Sequence, residues 1–154
     1  MKVLIIGGVA AGTKTAAKLK RMDRGADVTV ITRDPDISYA GCALPYFAGG
    51  VIEDPAELVV NTPQKYAALT GVEVLTEREA VSLDSTAKTV AAKNCKTGEL
   101  ETYSYDRLVI ATGASSFMPE IPGIALELSL IHILMVTPMS ELVVSVAYFT
   151  ISTR

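Results

Sequence analysis

Two stretches of this chain place reactive or ligand-binding residue types at informative spacing. Cys42 stands in Ser38-Tyr39-Ala40-Gly41-Cys42-Ala43-Leu44-Pro45-Tyr46, and upstream of it lies Gly7-Gly8-Val9-Ala10-Ala11-Gly12. A thiolate is a nucleophile, and a cysteine that follows a nucleotide-binding turn suits electron exchange with a bound redox cofactor. Gly41 and Pro45 make an apolar core slot a less natural setting for Cys42 than an accessible one, and the residues after Pro45 can start a helix beside the thiol. A buried structural cysteine is the alternative.

The glycine turn suits an anion. A helix N-terminus offers unpaired N–H groups and partial positive charge to a pyrophosphate. Gly7 and Gly12 take the first and third positions of a GxGxxG pattern, and Val9 takes the middle one, where glycine lets phosphate approach the backbone. The acidic residue expected about 20 residues after the last glycine is replaced by Thr32, with Arg33 and Asp34 following. A merely structural turn between strand and helix is the other reading.

The elements that must position these residues follow from periodicity. Val3 to Ile6 is a continuous apolar run, as in a parallel strand buried on both faces. A helix is expected from about Ala10 to Met22, with Ala11, Thr15, Leu19 and Met22 on the sheet and Gly25 ending it. Lys14, Lys18 and Arg21 form a basic stripe beside that face, suited to phosphates or simply to solvent. Val28 to Ile31 gives a second strand. Thr62 as N-cap, Pro63 at the first helical position and Gly71 as a stop predict a helix over residues 63–70, before a strand from Val72 to Leu75. Runs between Ala80 and Tyr105, broken at Asp84-Ser85-Thr86 and Lys96-Thr97-Gly98-Glu99, predict an antiparallel meander with Cys95 beside its second turn as an ordinary thiol. Leu108 to Ala111 then delivers Thr112 and Gly113 to the end of the sheet, and Pro119, Pro122 and Gly123 break regular structure.

Fourteen basic and 17 acidic residues give a net charge of -3, which provides no global field for nucleic acid or an anionic membrane. Two cysteines without CxxC spacing and a single histidine argue against a zinc site, and no other metal is expected. The cysteine usage fits a reducing cytoplasm. The apolar run at the N-terminus is too short for a signal peptide.

The glycine turn, the segment around Cys42, the Thr62-Pro63 helix start, the Ala111-Thr112-Gly113 strand end and the Ile121-Pro122-Gly123 step together carry a resemblance. Over residues 1–124 the chain resembles the single-cysteine branch of the FAD-dependent pyridine nucleotide-disulfide oxidoreductases, nearest to its members that reduce coenzyme A disulfide. The resemblance implies an α/β fold, a Rossmann-like FAD-binding half-domain with a parallel sheet plus an antiparallel β-meander. It implies that Gly7, Gly8, Val9, Ala10, Ala11 and Gly12 hold the FAD pyrophosphate. Arg33 would lie near the adenosine, Val81 would offer its backbone to the adenine, and Thr112 with Gly113 would close over the cofactor. Cys42 would be the redox nucleophile. It would attack a small-molecule disulfide such as coenzyme A disulfide and be regenerated by NAD(P)H through the flavin. Ser38 and Arg21 match coenzyme A contacts, and Lys14 and Lys18 extend that basic surface. Full-length relatives are homodimers.

Departures narrow the reading. Related peroxidases and oxidases carry a histidine in the glycine turn where this chain has Ala10, which disfavours peroxide chemistry; an NADH oxidase stays as an alternative. No cysteine near Cys42 can act as a resolving thiol, and Gly41 stands where many relatives have asparagine. The expected nicotinamide domain, with its own glycine motif, is absent from the sequence. Residues 125–154 are expected to be an atypical apolar tail, frameshifted or chimeric, with His132 given no role. The remaining alternatives are a non-catalytic FAD-binding fragment and a subunit completed by a partner chain.

Overall fold

The fold is built on a strand whose residues alternate between two cores. In a computed structural model that describes residues 1–114, Val3 and Ile5 enter one buried cluster while Leu4 and Ile6 face another. In chain order the elements are β1 (Lys2–Ile6), α1 (Ala11–Met22), β2 (Asp27–Ile31), β3 (Ser38–Tyr39), α2 (Leu44–Ala48), β4 (Val59–Asn61), α3 (Pro63–Thr70), β5 (Glu73–Leu75), β6 (Arg78–Asp84), β7 (Thr89–Asn94), β8 (Leu100–Ser104) and β9 (Arg107–Ile110). The central sheet has the order β5-β2-β1-β9, and its adjacent strands pair in parallel, as the apolar runs predict.

One core joins this sheet to its helices through Val3, Ile5, Ala16, Val28, Val30 and Tyr66. The other, through Leu4, Ile31, Val90 and Ala92, joins it to the antiparallel meander β6-β7-β8. Ile5 and Ile31 are fully buried, and each such side chain stabilises the fold by roughly 2 kcal/mol. Met1–Thr112 form a single compact unit.

The helix over residues 63–70 is present as α3. The Thr62 hydroxyl accepts from the Lys65 amide at 3.2 Å, and Gly71 closes the helix at φ +70°. Two expectations for α1 are corrected. Leu19 packs on the core as expected, but Ala11 and Met22 are exposed, and the buried residues are Gly12, Thr13 and Ala16, because Gly12 has to pack against the turn before the helix. Gly25 does not cap the helix: Asp23 does so in an extended conformation, and its carboxylate accepts the Gly25 amide at 2.9 Å. The two-stranded β3–β4 sheet and the 3-10 turns Gly41–Ala43 and Pro55–Leu58 have no counterpart among the sequence expectations. Pro119, Pro122, Gly123, His132 and the whole of 125–154 lie outside the described residues.

Candidate functional site

The glycines of the turn are required by close backbone contacts. A Cβ on Gly7, whose φ is +102°, would stand 2.2 Å from the Ala111 carbonyl oxygen, and one on Gly12 would stand 1.8 Å from that of Gly7. A Cβ on Gly8 would meet the Ile37 carbonyl at 2.8 Å. The turn is thus wedged between β9, the start of α1 and the segment leading to β3. This is the tight geometry that puts the N-terminus of α1 at the carboxyl ends of parallel strands, where such sheets bind ligands. At that N-terminus Ala10 provides no side-chain cap, and the first turn has no acidic residue. An anion there meets neither a competing cap nor a repelling carboxylate.

Val9 fills the middle position of the pattern in a glycine-like conformation, with φ +54°. That is costly for a β-branched residue. Its amide donates to the Ile37 carbonyl at 2.8 Å, and its carbonyl accepts the Thr13 hydroxyl. The Tyr66 hydroxyl donates to the Thr13 carbonyl at 2.5 Å. Burial raises the pKa of this phenol, and the nearby Arg21 charge opposes the shift without reversing it. Sequence reasoning missed Thr13, Ile37 and Tyr66. Their only signal was the position of Thr13 directly after the third glycine.

Cys42 is exposed, which removes the reading of a buried structural cysteine. It lies in the 3-10 turn Gly41–Ala43, just before α2 with its early Pro45. Ile37 is fully buried and fixed to Val9, so Cys42, five residues on, stays within about 18 Å of that anchor even if the chain is fully extended. A second tie holds the segment: the Ala40 amide donates to Leu58 at 2.8 Å, and Leu58 ends a turn capped by Asp54.

The other candidates lie on other parts of the described chain. Lys14, Lys18 and Arg21 are exposed on α1, and Ser38 is half-buried where β3 pairs with Asn61. Arg33 is exposed and reaches Asp34 at 3.9 Å and Glu79 at 4.0 Å. Val81 has no register partner, since Ala80 pairs with Ala92 and Ser82 with Ala91, leaving a bulge between them. Thr112 and Gly113 follow β9 as exposed residues, with Gly113 at φ +72°. Cys95 is exposed beside the hairpin turn, as expected. A cavity of about 240 Å³ lies elsewhere, at the opposite ends of the strands, lined by Lys2, Asp27 and Glu73 among others. Among the described residues no group of three potential metal ligands occurs, and no helix is long and apolar enough to cross a membrane.

Comparison with known proteins extends this picture. The chain is 36% identical over 115 residues to the coenzyme A disulfide reductase of Staphylococcus aureus, a match that covers 75% of the chain and 26% of that protein. It is 39% identical over 127 residues to an NADH oxidase of Enterococcus faecalis, covering 82% of the chain and 28% of that protein. Among solved structures, the reduced CoADR-RHD of Bacillus anthracis superposes with a TM-score of 0.77 at 35% identity, covering 80% of this chain and 22% of that one. The chain therefore spans about a quarter of the length of the curated relatives it matches. The family model for pyridine nucleotide-disulphide oxidoreductases matches residues 1–141. With the parallel sheet, the tight glycine turn and the exposed thiol already in place, the chain belongs to the pyridine nucleotide-disulphide oxidoreductase family.

Proposed function

We propose that this chain supplies the FAD-binding turn and the reactive thiol of an NAD(P)H-dependent disulfide reductase acting on coenzyme A disulfide or a related disulfide or polysulfide. The observation that carries the reading is the hydrogen bond from Val9 to Ile37, which anchors the segment bearing an exposed Cys42 to the glycine turn.

The residues fit the cofactor. The turn from Gly7 to Gly12 presents an uncapped helix start to a pyrophosphate, Arg33 is exposed near the end of β2, and the bulge at Val81 suits a backbone contact to an adenine. Thr112 and Gly113 are small residues at the end of β9. When bound, FAD supplies a two-electron relay between NAD(P)H and a thiol. Cys42 Sγ, as thiolate, attacks one sulfur of the substrate disulfide; the S–S bond breaks, a mixed disulfide forms, and the departing thiolate takes a proton from solvent. Two electrons from NAD(P)H and a second proton then release the other thiol and restore Cys42. Lys14, Lys18 and Arg21 offer positive charge to the phosphates of a coenzyme A moiety, and Ser38 a hydroxyl. On this reading the protein is cytoplasmic and works as a homodimer.

The test uses the purified chain. Flavin fluorescence should fall on titration of FAD, and peptide mapping after exposure to coenzyme A disulfide should find the adduct on Cys42. Absence of FAD binding, or equal labelling of Cys42 and Cys95, overturns the reading. The identity to the Enterococcus faecalis NADH oxidase supports a second one, in which oxygen takes the electrons. FAD binding without any adduct on Cys42 after exposure to coenzyme A disulfide would select it.

A further inference from the structure

We propose that Thr13 is a positioning residue for the cofactor turn, holding Val9 in its left-handed backbone, with Tyr66 bracing Thr13 from α3. The inference rests on the flavin reading above. Val9 is gripped on both sides of its α-carbon: its amide by Ile37 at 2.8 Å, its carbonyl by the Thr13 hydroxyl. Without those bonds a β-branched residue at φ +54° should relax to negative φ, and the amides that follow it would turn away from their present directions. Engaging the Val9 carbonyl also keeps a repulsive oxygen occupied near an anion site. Thr13 at 8% exposed and Tyr66 at 7% are both buried residues. The relay Tyr66 to Thr13 to Val9 to Ile37 connects α3, α1, the glycine turn and the segment of Cys42. Glycine at position 9 would make the hydroxyl unnecessary, because it adopts positive φ without a Cβ penalty.

A double-mutant cycle on the full chain tests this, using T13V, T13S, V9G and T13V/V9G, with FAD affinity and thermal midpoint as readouts. T13V should weaken FAD binding about fivefold, as expected for one lost neutral hydrogen bond. T13S should restore wild-type affinity, and T13V should have no effect in the V9G background. A full fivefold loss in that background, or wild-type affinity in T13V, overturns the inference. If the wild-type chain takes up no FAD, the flavin reading fails by itself. The cycle is then read in the thermal midpoint, where a decrease from T13V that V9G removes supports the role of Thr13 and an additive decrease overturns it.

Discussion

The α-carbon of Gly12 packs so closely on the carbonyl of Gly7 that a methyl group added there would lie 1.8 Å from the oxygen. Both sides of this contact are backbone, so nothing flexible can yield. Gly12→Ala should cost about 3 kcal/mol or more, at or beyond the upper end for overpacking. Urea unfolding checks this.

Gly41 is the opposite case. A Cβ there meets nothing within 4 Å, and its φ is not positive. Gly41→Asn should therefore change stability by no more than about 0.5 kcal/mol in the same measurement. Any effect on the rate of coenzyme A disulfide exchange at Cys42 then reports substrate contact and not folding.

Acid stability should depend on two carboxylates. Asp106 accepts the Lys2 amide at 2.7 Å, and that bond is the main cause holding its pKa below 3.8. Glu101 is held below 4.5 chiefly by the Tyr103 hydroxyl and then by Arg78, whose guanidinium lies at 3.2 Å. A depressed carboxylate stabilises the fold above its unfolded-state pKa and loses that contribution as pH falls through the folded one. The thermal midpoint should therefore drop below about pH 4.5. Asp106→Asn and Glu101→Gln should each flatten that acid limb while lowering the midpoint at pH 7.

The ends of α3 can be tested separately. Thr62→Ala removes the cap on Lys65 and should cost about 1 kcal/mol. Gly71→Ala forces a side chain to φ +70° and should cost roughly 1–2 kcal/mol, since the nearest neighbour, Lys20 Cε at 3.4 Å, can move aside. Thermal unfolding of both variants, with circular dichroism as the probe, checks the pair.

What the sequence made legible was local. Thr62, Pro63 and Gly71 mark α3 because capping acts within a few residues, and the meander turns announce themselves by composition. The face of α1 was legible only in part: Leu19 packs on the core as its spacing predicts, whereas Ala11 and Met22 do not, because the Gly12–Gly7 contact also constrains the helix. Strands as short as Ser38–Tyr39 depend on distant partners such as Leu58 and Asn61, which no local pattern shows. Nor does a valine advertise a left-handed backbone. At the candidate site, Gly7, Gly12 and Cys42 were readable from residue type and spacing, whereas Thr13 and Tyr66 act through tertiary hydrogen bonds.

The bulge at Val81 makes β6 one residue longer than its partner requires. Deleting a residue from a strand normally reverses the facing of everything beyond it. Here, deleting Val81 would join Ala80 to Ser82 and leave Ala92, Ala91 and Val90 opposite the same three residues as before. The meander thus carries a dispensable position as far as its ladder is concerned. A one-residue deletion, which in most strands shifts the register of everything beyond it, would in this strand leave that register unchanged.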